Sequence, residues 1–181
     1  SRKLYYYCRK CFIRTGVILL SKLLELCQNM IQYYSGDPKR IQHFIKVHSF
    51  CKMICEMEQI DEQTQLIAEI SGYVHDIGIK IAEQKYGYCN GKLQEKEGGA
   101  IAKEMLLSLG FENDVIEQVC YIIAHHHTYT NIDTLPYQIL VEADFIVNCY
   151  EHNETPQVIQ SVYDKIFQTK SGKQLFHTMF L

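Results

Sequence analysis

The sequence predicts an all-α fold, one helical-bundle domain, on three observations. No segment of the 181 residues sustains the period-two alternation of a half-buried strand. Each of the three prolines, Pro38, Pro136 and Pro156, stands where a helix should open. Between such openings, apolar residues recur at three- and four-residue spacing.

A first helix is expected over 16–34, stopped by Ser35-Gly36. Asp37 caps the next, with Pro38 at its first position, and the apolar pattern runs to about Met57. Asp61 caps a third, which leads into His75-Asp76 and is broken at Gly78. Residues 79–92 read as a short helix and a loop through Gly87 and the turn signal Asn90-Gly91. A helix over 96–109 stops at Gly110, and Asn113 or Asp114 caps the next, which ends in His125-His126-His127. Pro136 opens a helix carrying Asp144, and Pro156 opens another to about Gln168, with a short segment after it. Residues 1–35 are thus expected to be an N-terminal segment and first helix, and 36–181 the domain proper.

Composition narrows the function. Hydrophobic content of 47% and charged content of 22% suit a globular domain with one core. A net charge of −3 offers no basic field for nucleic acid or an anionic membrane. The apolar run Gly16 to Leu20 is too short to span a bilayer, and no small-residue cleavage site follows it. The eight cysteines lie mostly inside apolar helical patterns, which predicts reduced thiols and a cytoplasmic setting. Cys8 and Cys11 form a lone CxxC in a basic, tyrosine-rich N-terminus, a spacing that is incidental or a partial metal or redox site.

The chemistry concentrates on a few ligand-type residues. His75 and Asp76 are adjacent at the end of an apolar helix, where a carboxylate needs a cation or a hydrogen-bond donor. On the second helix, Val47, Phe50, Ile54 and Met57 lie within about 40° of His43, so His43 is on the buried stripe. His48 falls with Lys52 and Glu56 on the polar side. Asp144 shares a face with Tyr137, Leu140, Val141 and Val147 and needs pairing or a cation. Successive residues of His125-His126-His127 point about 100° apart, so one or two can bind metal while another reaches a substrate. Singly, each residue has a structural alternative: a hydrogen-bonded core histidine or a capping carboxylate. Together, on four helices, they suit one shared centre for Mn, Fe, Zn, Ni or Mg.

In this order the residues resemble the HD superfamily of metal-dependent phosphohydrolases. RIQHFIKVHSF at 40–50 is similar to its first-histidine helix, VHDIGIK at 74–80 to its His-Asp segment, and VEADFIVN at 141–148 to its final aspartate helix. The resemblance covers about residues 36–150 and extends to uncharacterised bacterial members. It implies an HD-domain helical bundle with a first metal held by His43, His75, Asp76 and Asp144. Two-metal members such as the HD-GYP group add a histidine, then a His-His pair; the pair is matched here by His125 and His126. The added histidine is not matched: Glu95 stands there, with Glu97 near it, a carboxylate expected either to replace the imidazole as a metal ligand and favour a harder metal or to be a solvated charge; the GYP motif is absent.

The expected function is therefore hydrolysis of a small phosphate ester, a nucleotide or another phosphorylated metabolite, by water activated on one or two divalent ions. Asp76 is expected to orient that water or accept its proton, and Lys80 to neutralise phosphate charge. Arg40, Lys46, Lys92 and His127 are the other candidates for substrate contact. Two alternatives stand beside it: a di-iron oxygenase of HD type, and a non-catalytic metal- or ligand-binding regulatory module.

Overall fold

The computed structural model describes residue 19 and residues 21–181. The tyrosine-rich arm, Cys8 and Cys11, and the expected start of the first helix lie outside the described residues. Among the described residues helix follows helix, with no strand. Helix α1 covers 21–33. It is followed by α2 (Pro38–Glu58), α3 (Glu62–Val74), α4 (Gly78–Tyr86), α5 (Gly91–Ser108), α6 (Asn113–Ile123), α7 (Leu135–Glu151), α8 (Pro156–Ile166) and α9 (Lys170–Phe180).

The caps explain the boundaries. Asp37 accepts from the Arg40 amide with Pro38 at the first position, Asp61 accepts from Thr64, and Thr155 accepts from Val158 ahead of Pro156. Three expectations about boundaries change. Glu112, not Asn113 or Asp114, stands at the N-cap of α6. Gly78 opens α4 instead of ending a helical stretch. Asn90 is a cap rather than a turn residue: its Oδ1 accepts from the Leu93 amide at 3.0 Å, so α5 begins at Gly91 and not at 96. The C-terminal segment forms a full helix, α9, capped by Thr169.

Helices α2, α3 and α7 pack on one another, α6 lies against α3 and α5, and α5 packs on α4. Phe44, Val47, Ile54, Ile70, Val74, Tyr137, Leu140 and Ile146 fill the centre, each 2% exposed or less. The expected small-residue face of α3 sets the close approach: a Cβ on Gly72 would lie 2.8 Å from the His48 Cα. Gly78 does the same between α4 and α5, where a Cβ would lie 2.5 Å from the Gln94 carbonyl oxygen.

Helix α1 belongs to this core through Leu26 and Met30, and the turn after it through Tyr34. Its end pins the turn that follows α3. The Tyr34 hydroxyl donates to the Asp76 carbonyl at 2.7 Å, and the Tyr33 hydroxyl to the Ile77 carbonyl at 3.1 Å. Helix α9 is anchored by a buried carboxylate that sequence reasoning missed. Glu142 accepts from the Gln168 and Thr169 amides, the Thr169 hydroxyl and the Gln138 amide. Burial raises its pKa above the ordinary carboxylate range, against the pull of those donors. No helix among the described residues is long and apolar enough to cross a membrane, and the six described cysteines are free thiols.

Candidate metal centre

Four elements deliver side chains to one point. His43 comes from the middle of α2, His75 and Asp76 from the end of α3, Asp144 from the middle of α7, and His126 from the turn after α6. His43 Nε2 lies 3.2 Å from His75 Nε2, 3.3 Å from Asp144 Oδ1 and 3.6 Å from Asp76 Oδ2. His75 Nε2 is 3.5 Å from Asp76 Oδ2 and 3.7 Å from Asp144 Oδ1. Ligands about 2.1 Å from one ion sit about 3.0–3.4 Å apart at octahedral or tetrahedral angles; the two shortest spacings fall in that range and the other three lie a few tenths of an ångström beyond it. Asp76 turns its other oxygen to His126, with Oδ1 3.7 Å from Nε2.

The tautomers follow from the partners on the far side of each ring. His75 Nδ1 lies 3.1 Å from the Gly72 carbonyl and His126 Nδ1 2.8 Å from the Ile123 carbonyl. A carbonyl only accepts, so both Nδ1 atoms carry the proton and both Nε2 atoms present a lone pair inward. His43 Nδ1 donates to Glu151 Oε2 at 3.0 Å, so Nε2 is the nitrogen turned inward, and it offers a lone pair once its proton is displaced. Among the described residues, His126 Nε2 is buried with no hydrogen-bond partner. An orphaned buried acceptor beside an ionised carboxylate is satisfied by a cation, and the imidazole and carboxylate donors here fit a divalent transition metal.

The electrostatics give the same answer. Burial works to lower the His43 pKa, but the hydrogen bond and charge of Asp144, with Asp76 and Glu151, overcome it and raise it to about 9. Burial works to raise the Asp76 and Asp144 carboxyls, yet the surrounding histidines hold both below the ordinary carboxylate range. The pocket is thus selective for positive charge. Asp76 is its most accessible ligand, with 21% of its side chain exposed against none for His75.

Among the described residues, two sets of side chains have atoms close enough to hold an ion: His43, His75 and Asp144, and Asp76, His126 and His127. The expected pair His125 and His126 is split. His125 turns back, its Nδ1 against the Tyr121 carbonyl at 2.7 Å. His127 joins instead; burial and the neighbouring His126 lower its pKa to about 4, so it is a neutral ring. Its Nε2 donates to Gln94 Oε1 at 2.5 Å. Glu95 does not reach the centre: it accepts from the His127 amide at 3.0 Å and the Thr128 hydroxyl at 3.1 Å and so holds the histidine loop. Glu97 binds Lys85 and the Tyr86 hydroxyl.

The expected cations are mostly engaged. Lys80 donates to the Tyr33 carbonyl at 2.6 Å, reinforcing the turn under Asp76. Arg40 pairs with Asp37 and Glu83, and Lys46 with Glu151. Lys92 is exposed. Two residues on α7 were missed: Asn148, which donates to Asp144 Oδ1 at 2.8 Å, and Glu151. They follow Asp144 by four and seven residues, the spacing of one helix face, which was a signal available in the sequence.

The HD domain family model matches residues 40–160, two thirds of the chain, and spans every ligand named above. The chain belongs to the HD domain family. Its fold is similar to that of a predicted HD superfamily hydrolase, solved by crystallography, from an uncultured Thermotogales bacterium. The TM-score is 0.60 and the identity 23%, over 88% of this chain and 83% of that one. No curated protein matches the chain. The HD dipeptide of this domain is His75-Asp76, placed where a helix end and the α1 tyrosines hold both side chains toward α2 and α7.

Proposed function

We propose that this HD domain is a metal-dependent phosphohydrolase acting on a small phosphate ester. One observation carries the reading: three Nε2 atoms and two ionised carboxylates converge, and the Nε2 of His126 has no hydrogen-bond partner among the described residues. His43, His75 and Asp144 would hold one divalent ion, and Asp76 stands between that set and His126 with His127. When bound, the ion would supply Lewis acidity toward phosphoryl oxygens and toward water.

The remaining steps belong to side chains. Asp76, ionised and partly exposed, accepts a hydrogen bond from the attacking water and orients it. Its depressed pKa makes it a weak base, so positioning is its main task. His127 is neutral and adds no charge, which leaves the cations beside His43 to meet the phosphate. A groove of about 300 Å³, lined by Pro38, Lys39, Gln42, Lys46 and Glu151, lies on that side. Lys39 and Lys46 are the residues assigned to substrate charge there, and a nucleotide is a substrate of suitable chemistry. Lys80 is assigned to the turn that carries Asp76.

The test is elemental analysis of protein purified without added metal, followed by assay of manganese-loaded protein on phosphomonoesters, phosphodiesters and nucleoside triphosphates. Turnover lost in His75→Ala and Asp144→Ala is the expected result. Protein that keeps its metal yet turns over none of these substrates would contradict it.

A further inference from the structure

The three inward-facing histidines do not have equivalent supports. His75 and His126 rest their Nδ1 atoms on main-chain carbonyls, of Gly72 and Ile123. His43 alone rests on a carboxylate, Glu151 Oε2 at 3.0 Å. A full negative charge on the far side of the ring raises the basicity of Nε2 more than a carbonyl dipole does. Glu151 is itself outside both ligand sets, so its route to an ion runs through His43. It also closes a ladder along one face of α7: Asp144, then Asn148 bonded to Asp144, then Glu151 bonded to His43.

The other oxygen of Glu151 accepts from Lys46 Nζ at 2.5 Å. Lys46 follows His43 by three residues on α2 and extends over the Tyr150 ring, 5.9 Å from its centre. An ammonium there draws on the same carboxylate that supports His43, and its charge opposes that of a bound cation. The two residues therefore act in opposite directions.

We infer that Glu151 is a positioning residue that strengthens His43 as a metal ligand, with Lys46 as its moderator. The inference rests on the metal reading above and adds the device that sets affinity at the His43 end of the centre. A plain surface ion pair between Glu151 and Lys46 would serve stability only, and removing either partner would then have the same sign.

The experiment is isothermal titration of the full chain with manganese(II) alone near neutral pH. Glu151→Ala is expected to weaken binding by about 10–100-fold. Glu151→Gln loses less, because its carbonyl still accepts from Nδ1. Lys46→Ala is expected to bind no more weakly than wild type. The sign difference between Glu151→Gln and Lys46→Ala decides the matter even if Glu151→Ala does not fold. Equal weakening in Lys46→Ala and the Glu151 variants overturns the inference, as does a Glu151→Ala protein that binds like wild type. A wild-type protein that takes up no manganese overturns the metal reading itself.

Discussion

Helices α2 and α3 meet at two clusters built from the same side-chain types, and only one of them has the donors to hold a metal ion. At His43, three imidazoles and two carboxylates converge, with two Nε2 atoms 3.2 Å apart. Five residues on, His48 Nε2 meets Glu69 Oε2 at 2.9 Å, and the ring stacks on Tyr73 with centres 3.8 Å apart. The second oxygen of Glu69 accepts from Gln65 at 2.7 Å. Here one histidine matches one carboxylate, and both carboxylate oxygens already have a partner. The lesson is that residue types do not make a metal site; a surplus of lone pairs at one point does. Helical phase had put His48 on the polar side, and the structure half-buries it because Gly72 lets α3 approach its backbone.

The largest effect that tests this contrast is ligand loss. Asp144→Asn or His75→Ala should weaken metal binding by more than the 10–100-fold typical of supporting residues. His48→Ala should retain metal like wild type, as read by elemental analysis after dialysis. Metal loss from His48→Ala would dissolve the distinction between the clusters. Next in size, Gly72→Ala forces a Cβ against the α2 backbone, so it should cost about 1–3 kcal/mol and disturb both clusters together. Urea denaturation and metal titration of that one variant would read both effects. His48→Ala itself leaves Glu69 buried without its main donor, which should cost about 1–3 kcal/mol in urea midpoint analysis, at the lower end if water reaches the gap.

The smallest effects separate the clusters by pH. Burial opposes ionisation of Glu69, but the bonds from His48 and Gln65 hold its pKa below the usual 4.5. Its contribution to stability is present above 4.5 and is lost as pH falls through the lowered value. His43 has the opposite sign: raised from 6.5 to about 9, it contributes fully below 6.5 and its contribution is lost as pH rises through about 9. Metal-free protein should therefore lose stability at the alkaline end through His43 and at the acid end through Glu69. Binding of metal displaces the His43 proton, so metal-loaded protein should be spared the alkaline loss. Melting curves with and without chelator check this; an alkaline loss that persists with metal bound would place its cause outside the centre.

Much of the fold was legible because local rules and tertiary packing agree. Asp37 with Pro38, and Asp61, cap helices that then bury the stripe their periodicity predicts. Asn90 shows where local rules divide: the same residue suits a turn or an N-cap, and only the packing of α5 on α4 through Gly78 selects the cap. His43 and Asp144 were legible because each lies inside a regular helix, where phase fixes direction. The histidine run was not, because it follows α6 in irregular backbone, where phase has no meaning.

By itself, then, the sequence determined most of the helices, their buried faces, and the placement of His43 and Asp144 on those faces, since helical periodicity is a property of the chain alone. Tertiary structure decided which of His125, His126 and His127 turn inward, that Glu95 braces the loop and that Glu151 stands behind His43. The last two outcomes depend on hydrogen bonds between residues 32 and 108 positions apart, which no local pattern encodes. The histidine run turns on short-range bonds to the Tyr121 and Ile123 carbonyls, made in irregular backbone whose course the packing sets.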